Sequence, residues 1–493
     1  MVYFLGIDAG QTVVKAVLFD DQLQQVELAR GQSPTESPEP RHVQRSHEAL
    51  WSTTVEAITG VLRKSGVNPA QIGGICTTGH GDGLHLVAQD GKPSGPAITA
   101  VDSRAWREME EIAEDSGRAQ KILELSGQIP FLGSTGIIMS WVATHRPEWL
   151  DDEPTMLFCK DVINFRLTGA RATDYSDASA SFLNVQTGQW SSELLELYGL
   201  KGLENILPPV LRSSERVGEV SGDAARETGL TEGTPVIVGS HDVHAAAIGM
   251  GSLNSTMLTL IAGSFSINAV ATDSPAVDPR WQSRLSLTPG LRLPMSTSAT
   301  ASTTLEWFLT MVGASTPDAR DALFVRASEI DEGDSLPMLL PYVFASPIGQ
   351  SPSGTFLGLR SWHTPAHLLR GVLEGIVMMH VWHCDALATA FDLPTKARLG
   401  GGLSRSGLYS QMVSDALGVT VETVDSDETG AYGAAALAAL GTGQLDALTT
   451  ALNRVQIRHS YSPRPDLADY WAKRKQLFWD SFSALDPLWK RWT

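Results

Sequence analysis

The chain has 493 residues, of which 42% are hydrophobic and 19% charged, and its formal net charge is −18. A chain of this length is too long for one hydrophobic core, so two large domains are expected. The acidic charge disfavours nucleic acid and anionic membranes as partners, and three widely separated cysteines disfavour a disulfide framework or a structural zinc site.

The N-terminus runs directly into strand-like sequence. Residues 1–8 lack the basic segment, apolar core and cleavage site of a signal peptide. No apolar run reaches the length of a membrane span, so a cytoplasmic protein without a membrane partner is expected. Strands are predicted at 3–7, 13–19 and 25–30, and the turn 8–12 joins the first two.

The rest of the first half alternates between helices and strands. A helix is predicted at 46–65, strands at 72–77 and 97–100, and further helices at 103–114, 117–126 and 159–167. A short, wholly apolar strand at 234–238 is of the type that is buried on both faces of a sheet. It leads through Gly239 and Ser240 to His241 and Asp242, and a helix is predicted at 243–248.

The opening pattern recurs about 250 residues later, because predicted strands at 256–261 and 267–272 flank another glycine-containing turn. Further strands are predicted at 397–399 and 419–423, and helices at 302–311, 365–387, 408–417 and 429–440. This echo predicts two domains, 1–248 and 249–493, with a cleft between them. Ligand sites favour such clefts.

The first turn, 6–12, has the composition of an anion-binding turn. Consecutive N–H groups point outward from such a turn, and Gly10 lets an anion approach the backbone closely. Asp8 at the strand end is a hard oxygen ligand of the type that Mg²⁺ prefers. An ordinary hairpin with Asp and Gly as turn formers fits the same residues. The similar turn at Gly263 and Ser264 favours the phosphate interpretation, since two such turns could clamp a polyphosphate from both sides.

Asp242 lies at the junction of a strand with a helix. There a carboxylate can accept a proton from a hydroxyl as its oxygen attacks phosphorus. The alternative is that Asp242 caps the helix and stabilises its dipole. His241 and His244 flank it and could line a site, although such histidines are often surface residues.

Two polar loops follow other strands of the first half, where α/β sheets place ligands. The first loop contains His80, Gly81 and Asp82, and the second contains Asp102 and Arg104. Their charged groups could bind the hydroxyls of a polyhydroxylated ligand. A glycine-rich loop with a helix-capping Asp and a nearby Arg pair is the alternative.

A third glycine-rich segment, 400–406, follows the predicted strand at 397–399. Three consecutive glycines let a flat ring lie against bare backbone, whereas a plain strand–helix turn needs only one. The small residues of 428–435 would let a helix pack close beneath that ring.

With these motifs assembled, the chain resembles the FGGY family of carbohydrate kinases from residue 3 to about residue 443. The similarity also includes 160–169 and 173–179, two runs whose chemistry does not follow from their residues alone. It implies two actin-like, ribonuclease-H-like α/β domains that close over ATP, Mg²⁺ and a sugar, with Asp242 as the catalytic base.

The resemblance also assigns the site residues. The nucleotide and its phosphates would lie at Asp8, Gly10, Gln11, Thr12, Lys15, Gly263, Ser264, Gly401, Gly402 and Ser406. The sugar would lie at His80, Gly81, Asp82, Asp102, Arg104, His241, Asp242 and Val243. Asp8 and Asp242 would hold the metal.

Departures from the family pattern bear on the substrate. Gln11 stands where many relatives have Thr or Ser, and His80-Gly81-Asp82 matches neither typical xylulokinases nor typical glycerol kinases. The segment 241–247 looks more like the L-xylulose kinase and erythritol kinase branches. The expected activity is ATP-dependent phosphorylation of a ketopentose at a terminal hydroxyl. A polyol acceptor and a non-catalytic nucleotide-binding regulator are the alternatives, and a homodimer is the oligomeric state considered.

Overall fold

We analysed a computed structural model, which describes residues 1–288, 290–332, 335–349 and 351–491. Its strands are β1 (Tyr3–Ala9), β2 (Val13–Phe19), β3 (Gln25–Gln32), β4 (Gln44–Arg45), β5 (Ile72–Gly79), β6 (His85–Val87), β7 (Ala97–Ile98), β8 (Thr155–Leu157), β9 (Thr173–Asp174), β10 (Leu183–Asn184), β11 (Gln189–Trp190), β12 (Val210–Leu211), β13 (Arg216–Glu219), β14 (Pro235–His241), β15 (Leu258–Ala262), β16 (Ser266–Val270), β17 (Gln282–Leu285), β18 (Arg292–Ser298), β19 (Met338–Leu340), β20 (Thr355–Leu357), β21 (Lys396–Gly400), β22 (Thr420–Val424) and β23 (Ile457–Tyr461).

The α-helices are α1 (His47–Ser65), α2 (Trp106–Glu114), α3 (Ser116–Ser126), α4 (Thr135–His145), α5 (Cys159–Thr168), α6 (Tyr175–Ala178), α7 (Ser192–Leu197), α8 (Gly222–Thr228), α9 (Asp242–Gly249), α10 (Ser302–Met311), α11 (Pro317–Ser328), α12 (Pro365–Ala388), α13 (Gly407–Leu417), α14 (Thr429–Gly441), α15 (Leu448–Arg454) and α16 (Ala468–Trp489). Within the described part of the chain, none of these helices combines the length and apolar character needed to cross a membrane.

The first compact unit comprises residues 1–253, 273–293 and 428–455. Its main sheet has the strand order β13-β14-β5-β1-β2-β3. The first three strands of the chain pair antiparallel, while β1, β5 and β14 run parallel to one another. The parallel register aligns Ala9, Gly79 and His241, so the segments that follow these three residues leave the same edge of the sheet.

Two apolar clusters support this unit. The larger includes side chains of the main sheet, α1 and α5, among them Ile7, Trp51 and Ile163. The other packs α2, α3 and α4 with β6 and β8 and includes Phe158 and Phe182. Fixed by these cores, the strand ends form a rigid base for the loops that carry the polar residues.

The second compact unit comprises residues 254–272, 294–427 and 456–493. The order of its strands β18-β16-β15-β21-β22-β23 includes a hairpin, β15–β16, whose first strand pairs in parallel with β21. The pairs β1–β2 and β1–β5 have the same arrangement in the first unit. The predicted echo of the N-terminal hairpin is therefore present in the structure.

Both units are discontinuous in the chain, whereas the predicted domains 1–248 and 249–493 divide the sequence at one point. Segment 273–293 packs in the first unit, where Ser283 N–H donates to Gly127 C=O over 2.8 Å. The helix α14 also belongs to that unit, because its small residues allow backbone contact with α9 at Gly433 and with β1 at Gly6. The small residues of 428–435 thus pack against the first sheet, and their expected role beside a nucleotide ring stays a prediction.

Candidate functional site

The junction between β14 and α9 places Asp242 at the edge of the first sheet. Gly239 has a φ of +78° and approaches Thr77 C=O so closely that a β-carbon would collide with it. This irregularity coincides with a register shift between β14 and β5. Only glycine fits such a conformation and contact. Gly239 therefore sets the path of the last residues of β14 and the position at which Asp242 begins α9.

The Asp242 carboxylate is available for chemistry at this edge. Its side chain is 40% exposed, and its Oδ1 lies 2.9 Å from His241 Nδ1. The residue that precedes the first helical residue is His241, and its Nδ1 also lies 3.2 Å from the backbone nitrogen of Val243. The capping position that the sequence offered to Asp242 is thus filled by His241.

The electrostatics keep Asp242 ionised. Burial acts to raise its pKa, but the neighbouring His241 outweighs that effect and holds the pKa below the usual aspartate value. For His241, burial acts to lower the pKa, and Asp242 raises it above the usual histidine value. Each group therefore stabilises the charged form of the other.

Asp8 is the penultimate residue of β1, at the same edge of the sheet. Burial, opposed by Lys15 and reinforced by the carboxylates of Asp242 and Glu428, raises its pKa to about 6. A β-carbon on Gly430 would lie 2.8 Å from Asp8 Oδ2, so the first turn of α14 confines this carboxylate. The two predicted metal ligands, Asp8 and Asp242, thus influence each other electrostatically.

The predicted phosphate turn is a short hairpin bend. Gly10 N–H donates to Val13 C=O over 3.0 Å, and Thr12 is exposed. The Gln11 Oε1 atom is buried and has no hydrogen-bond partner in the described part of the chain. Lys15 donates to Glu428 over 2.7 Å, so a phosphate at this turn would have to compete for its ammonium group.

The loop after β5 is bound tightly to the same site. Asp82 has a φ of +62°, an uncommon conformation for a residue with a side chain. A β-carbon on Gly81 would collide with the His241 ring. His80 Nε2 lies 2.8 Å from an Arg45 guanidinium nitrogen, and burial lowers the His80 pKa to about 3, so this imidazole is neutral.

Asp102 and Arg104 form a closed internal pair. The two Asp102 oxygens accept from Arg104 N–H, from its guanidinium group and from Val43 N–H at distances of 2.6 to 3.0 Å. The Arg104 guanidinium also donates to Gln44 and lies 5.0 Å from the Trp141 ring centroid. Their contact with a sugar remains a prediction, and a hydroxyl would have to replace one of these bonds.

A buried charge cluster accounts for the two runs whose chemistry the sequence does not reveal. The Lys160 ammonium lies 2.5 Å from Asp161, 3.1 Å from Asp174 and 3.2 Å from Asp177, and none of the four side chains is exposed by more than 1%. Asp174 accepts the Ser176 hydroxyl, which in turn accepts His241 N–H over 2.9 Å. The cluster thus supports the backbone beside Asp242, and the spacing of Lys and Asp in these runs was its only sequence signal.

The remaining predicted residues lie in the second unit. Gly263 C=O accepts the Ser302 N–H over 2.8 Å, and a β-carbon on Gly401 would lie 2.7 Å from Gly263 N. The Thr303 hydroxyl donates to Ser264 C=O over 3.1 Å. Two of the predicted glycine turns therefore lie against each other and expose backbone. Gly402 begins a short 3₁₀ helix, and Ser406 caps α13 by accepting Tyr409 N–H over 3.3 Å.

The acidic residues of the site offer few ligands for a metal ion. Among the described residues, no group of three or more His, Cys, Asp or Glu side chains is close enough to hold a metal ion. Mg²⁺ is usually held by one or two carboxylates together with waters and phosphate oxygens. The pair Asp8 and Asp242 fits that pattern, because Mg²⁺ held by two carboxylates, waters and phosphate oxygens needs no third protein ligand.

Comparison with known proteins identifies the scaffold. Residues 3–249 match the model of the N-terminal domain of the FGGY family of carbohydrate kinases, and residues 274–442 match the model of its C-terminal domain. The chain is 31% identical over 449 residues to the L-xylulose/3-keto-L-gulonate kinase of Escherichia coli, covering 90% of this chain and 88% of that protein. It is 29% identical over 469 residues to the erythritol kinase of Brucella abortus, covering 90% and 88%.

A solved structure agrees with this assignment. The xylulose kinase of Rhodospirillum rubrum superposes with a TM-score of 0.90 at 25% identity, covering 99% of this chain and 100% of that one. The predicted two-domain α/β architecture and the predicted kinase activity are confirmed. Sugar or polyol acceptors fit the named relatives, and ATP is the phosphoryl donor that the family uses. The chain belongs to the FGGY family of carbohydrate kinases and is an ATP-dependent carbohydrate kinase.

Proposed function

We propose that this kinase phosphorylates a small ketose, a ketopentose of the xylulose type, at a terminal hydroxyl, with Asp242 as the general base. The observation that carries the proposal is the state of Asp242, which is part-exposed at the edge of the sheet and is kept ionised by His241. A carboxylate in that state can accept the proton of an attacking hydroxyl.

In this proposal, MgATP supplies the γ-phosphoryl group. Asp8 and Asp242 hold the magnesium ion, which neutralises phosphate charge. The phosphates are positioned by the two glycine turns and by Lys15, and the adenine nucleoside lies by the 400–406 segment. The residues assigned to these contacts are Gly10, Gln11, Thr12, Gly263, Ser264, Gly401, Gly402 and Ser406.

The acceptor lies against the loop after β5 and the start of α9. His80, Gly81, Asp82, His241 and Val243 are the residues proposed to line it. Asp102 and Arg104, whose internal pair fixes the loop before α2, are also proposed to contact the acceptor. Positioning of the hydroxyl and neutralisation of charge would supply most of the rate acceleration.

The choice of a ketopentose rests on the named relatives. The E. coli protein acts on L-xylulose and 3-keto-L-gulonate by its name, and a Haemophilus influenzae protein named probable L-xylulose kinase is 28% identical over 446 residues. The erythritol kinase of B. abortus favours a polyol as the second candidate. Family membership argues against the third alternative, a regulator that binds nucleotide without catalysis.

An acceptor panel tests the substrate. ADP release would be followed with D- and L-xylulose, D- and L-ribulose, erythritol, glycerol and D-gluconate at saturating MgATP. We expect one ketopentose to give a kcat/KM at least about tenfold above every polyol, since a hydroxyl-binding site rejects acceptors that leave its groups unpaired. A higher kcat/KM for erythritol or glycerol would replace the ketose by a polyol. The predicted homodimer is a separate question, which light scattering answers.

A further inference from the structure

A buried arginine joins the proposed acceptor site from a distant part of the sequence. Arg284 lies in β17, and its side chain is 1% exposed. The strand is fixed in the first unit, because Leu285 N–H donates to the Ser179 hydroxyl over 3.2 Å. From this position one Arg284 nitrogen lies 3.0 Å from Asp82 Oδ2 and 3.0 Å from Gln282 Oε1.

Much of the bonding capacity of this pair is unused. The Arg284 Nε and Nη1 atoms and the Asp82 Oδ1 atom are buried and have no hydrogen-bond partner in the described ranges of the chain. Buried donors and acceptors of this kind are nearly always satisfied in folded proteins. Arg284 thus has free donors beside a free acceptor on Asp82. This arrangement indicates a ligand whose oxygens both accept and donate hydrogen bonds, as the hydroxyl groups of a polyhydroxylated molecule do.

The pair is next to the proposed base. Gly81, which precedes Asp82, lies against the ring of His241, the residue before Asp242. Asp82 adopts its unusual backbone conformation where the carboxylate meets Arg284. Strain of this kind is concentrated at ligand sites.

We propose that Arg284 and Asp82 together bind the acceptor through its oxygens and select neutral polyhydroxylated acceptors over sugar acids. Arg284 donates to an acceptor oxygen, and Asp82 accepts from a hydroxyl. Because the two charges cancel, a carboxylate placed here would add an uncompensated negative charge near Asp242. This inference rests on the proposed function, since it assigns a specificity role within that acceptor site.

Two substitutions separate the roles of the pair. Asp82→Asn leaves the Arg284 charge uncompensated, so the kcat/KM for D-gluconate and L-xylonate should rise relative to that for the preferred neutral acceptor, by at least about tenfold. Arg284→Gln removes the guanidinium donors and the positive charge and should raise the KM for the neutral acceptor about tenfold or more without raising activity on the acids. The KM for ATP should stay within about twofold in both variants. Arg280→Gln is the matched control, because Arg280 lies in the same segment, is 38% exposed and pairs with Asp278.

The outcomes distinguish this inference from the proposed function. Suppose that Asp82→Asn has a normal unfolding temperature and an unchanged ratio of kcat/KM for neutral and acidic acceptors. This result overturns the proposed role of the Arg284–Asp82 pair even if the wild type is a ketopentose kinase. A wild-type enzyme that prefers D-gluconate or L-xylonate also overturns it. A wild type that prefers erythritol overturns only the ketose assignment, and the ratio still tests the pair. If Arg284→Gln does not fold, Arg284→Lys, which keeps the charge but loses donors, should show the same rise in KM, and an unchanged KM contradicts the role of Arg284.

Discussion

The carboxylate of Asp8 occupies space that a side chain at Gly430 would need, because a β-carbon on Gly430 would lie 2.8 Å from Asp8 Oδ2. The contact joins the end of the first strand to the first turn of α14, more than 400 residues later in the chain. Gly430→Ala should therefore displace Asp8 from its proposed magnesium position. We expect the Mg²⁺ concentration for half-maximal rate to rise about tenfold and kcat to fall by a similar factor, as measured by ADP release over a magnesium titration.

Gly117→Ala is the matched control for that change. Gly117 lies in the first turn of α3, and its β-carbon would meet only Asp115 Oδ1, at an ordinary distance of 3.5 Å. This control should leave the magnesium dependence unchanged and should slightly increase stability. An unaltered magnesium dependence in Gly430→Ala would remove Asp8 from the metal site.

Replacing the proposed base tests the chemistry directly. Asp242→Asn keeps the shape of the side chain but removes the proton acceptor, so kcat should fall by ~10²–10⁴-fold. The unfolding temperature should stay close to the wild-type value, because the side chain is 40% exposed and does not fill the capping position. Asp392→Asn, an exposed carboxylate change, is the control. Full sugar-dependent ADP release by a folded Asp242→Asn protein would exclude the assignment.

The buried cation of the charge cluster should be essential for folding. Lys160→Met leaves the carboxylates of Asp161, Asp174 and Asp177 buried without their cation. Removing one partner of a buried ionic group costs about 3–5 kcal/mol, so the free energy of unfolding should fall by at least that amount in urea titrations. Lys201→Met, a lysine that is 75% exposed, should change it by less than about 0.5 kcal/mol. Comparable stability of the two variants would contradict the structural role of the cluster.

The same cluster predicts how stability depends on pH. Burial raises the pKa of Asp177 to about 7, against an ordinary value of 3.8, with Lys160 lowering it and Asp174 raising it. Between those values the folded protein binds more protons than the unfolded chain, so the contribution of this group to stability falls as pH rises from about 4 to 7. In Asp177→Asn that contribution is absent, so the free energy of unfolding should vary less with pH. The loss of stability between pH 4 and 8 should be smaller than in the wild type by no more than about 4 kcal/mol.

Chemical denaturation at pH 5, 6, 7 and 8 measures this difference. Asp223→Asn is the control, because Asp223 is 82% exposed and should not alter the slope. Parallel curves for the wild type and Asp177→Asn would show that the carboxyl group of Asp177 titrates normally in the folded protein.

The sequence predicts the local elements well where the hydrophobic pattern is strong. The predicted strand 13–19 and helix 302–311 agree with β2 and α10 at both ends. The predicted strand 97–100 is shorter in the structure, and the helix expected from 103 begins at Trp106, because Asp102 accepts the Arg104 N–H and holds a loop there. Side-chain bonds of this kind compete with regular structure and carry little signal in a hydrophobic pattern.

The parts that the sequence did not predict depend on distant contacts. Arg284 is one arginine among many, and only the return of segment 273–293 to the first unit brings it to Asp82. The bond of Lys15 to Glu428 crosses more than 400 residues and has no local signature, while the phosphate contact of Lys15 stays a prediction. The place of His241 before the first helical residue, with its ring beside Asp242, depends on the direction of one side chain, which neighbouring residues alone do not determine.

The return of residues 428–455 to the first unit has a consequence for synthesis on the ribosome. The chain of that unit is otherwise complete at residue 293, but the surface formed by Gly6 and Ala245 stays uncovered until α14 emerges. At typical translation rates of about 5–20 residues per second, that delay is roughly 7–32 s. A nascent chain truncated before residue 428 should therefore be more sensitive to protease and more dependent on chaperones than one that extends beyond residue 455.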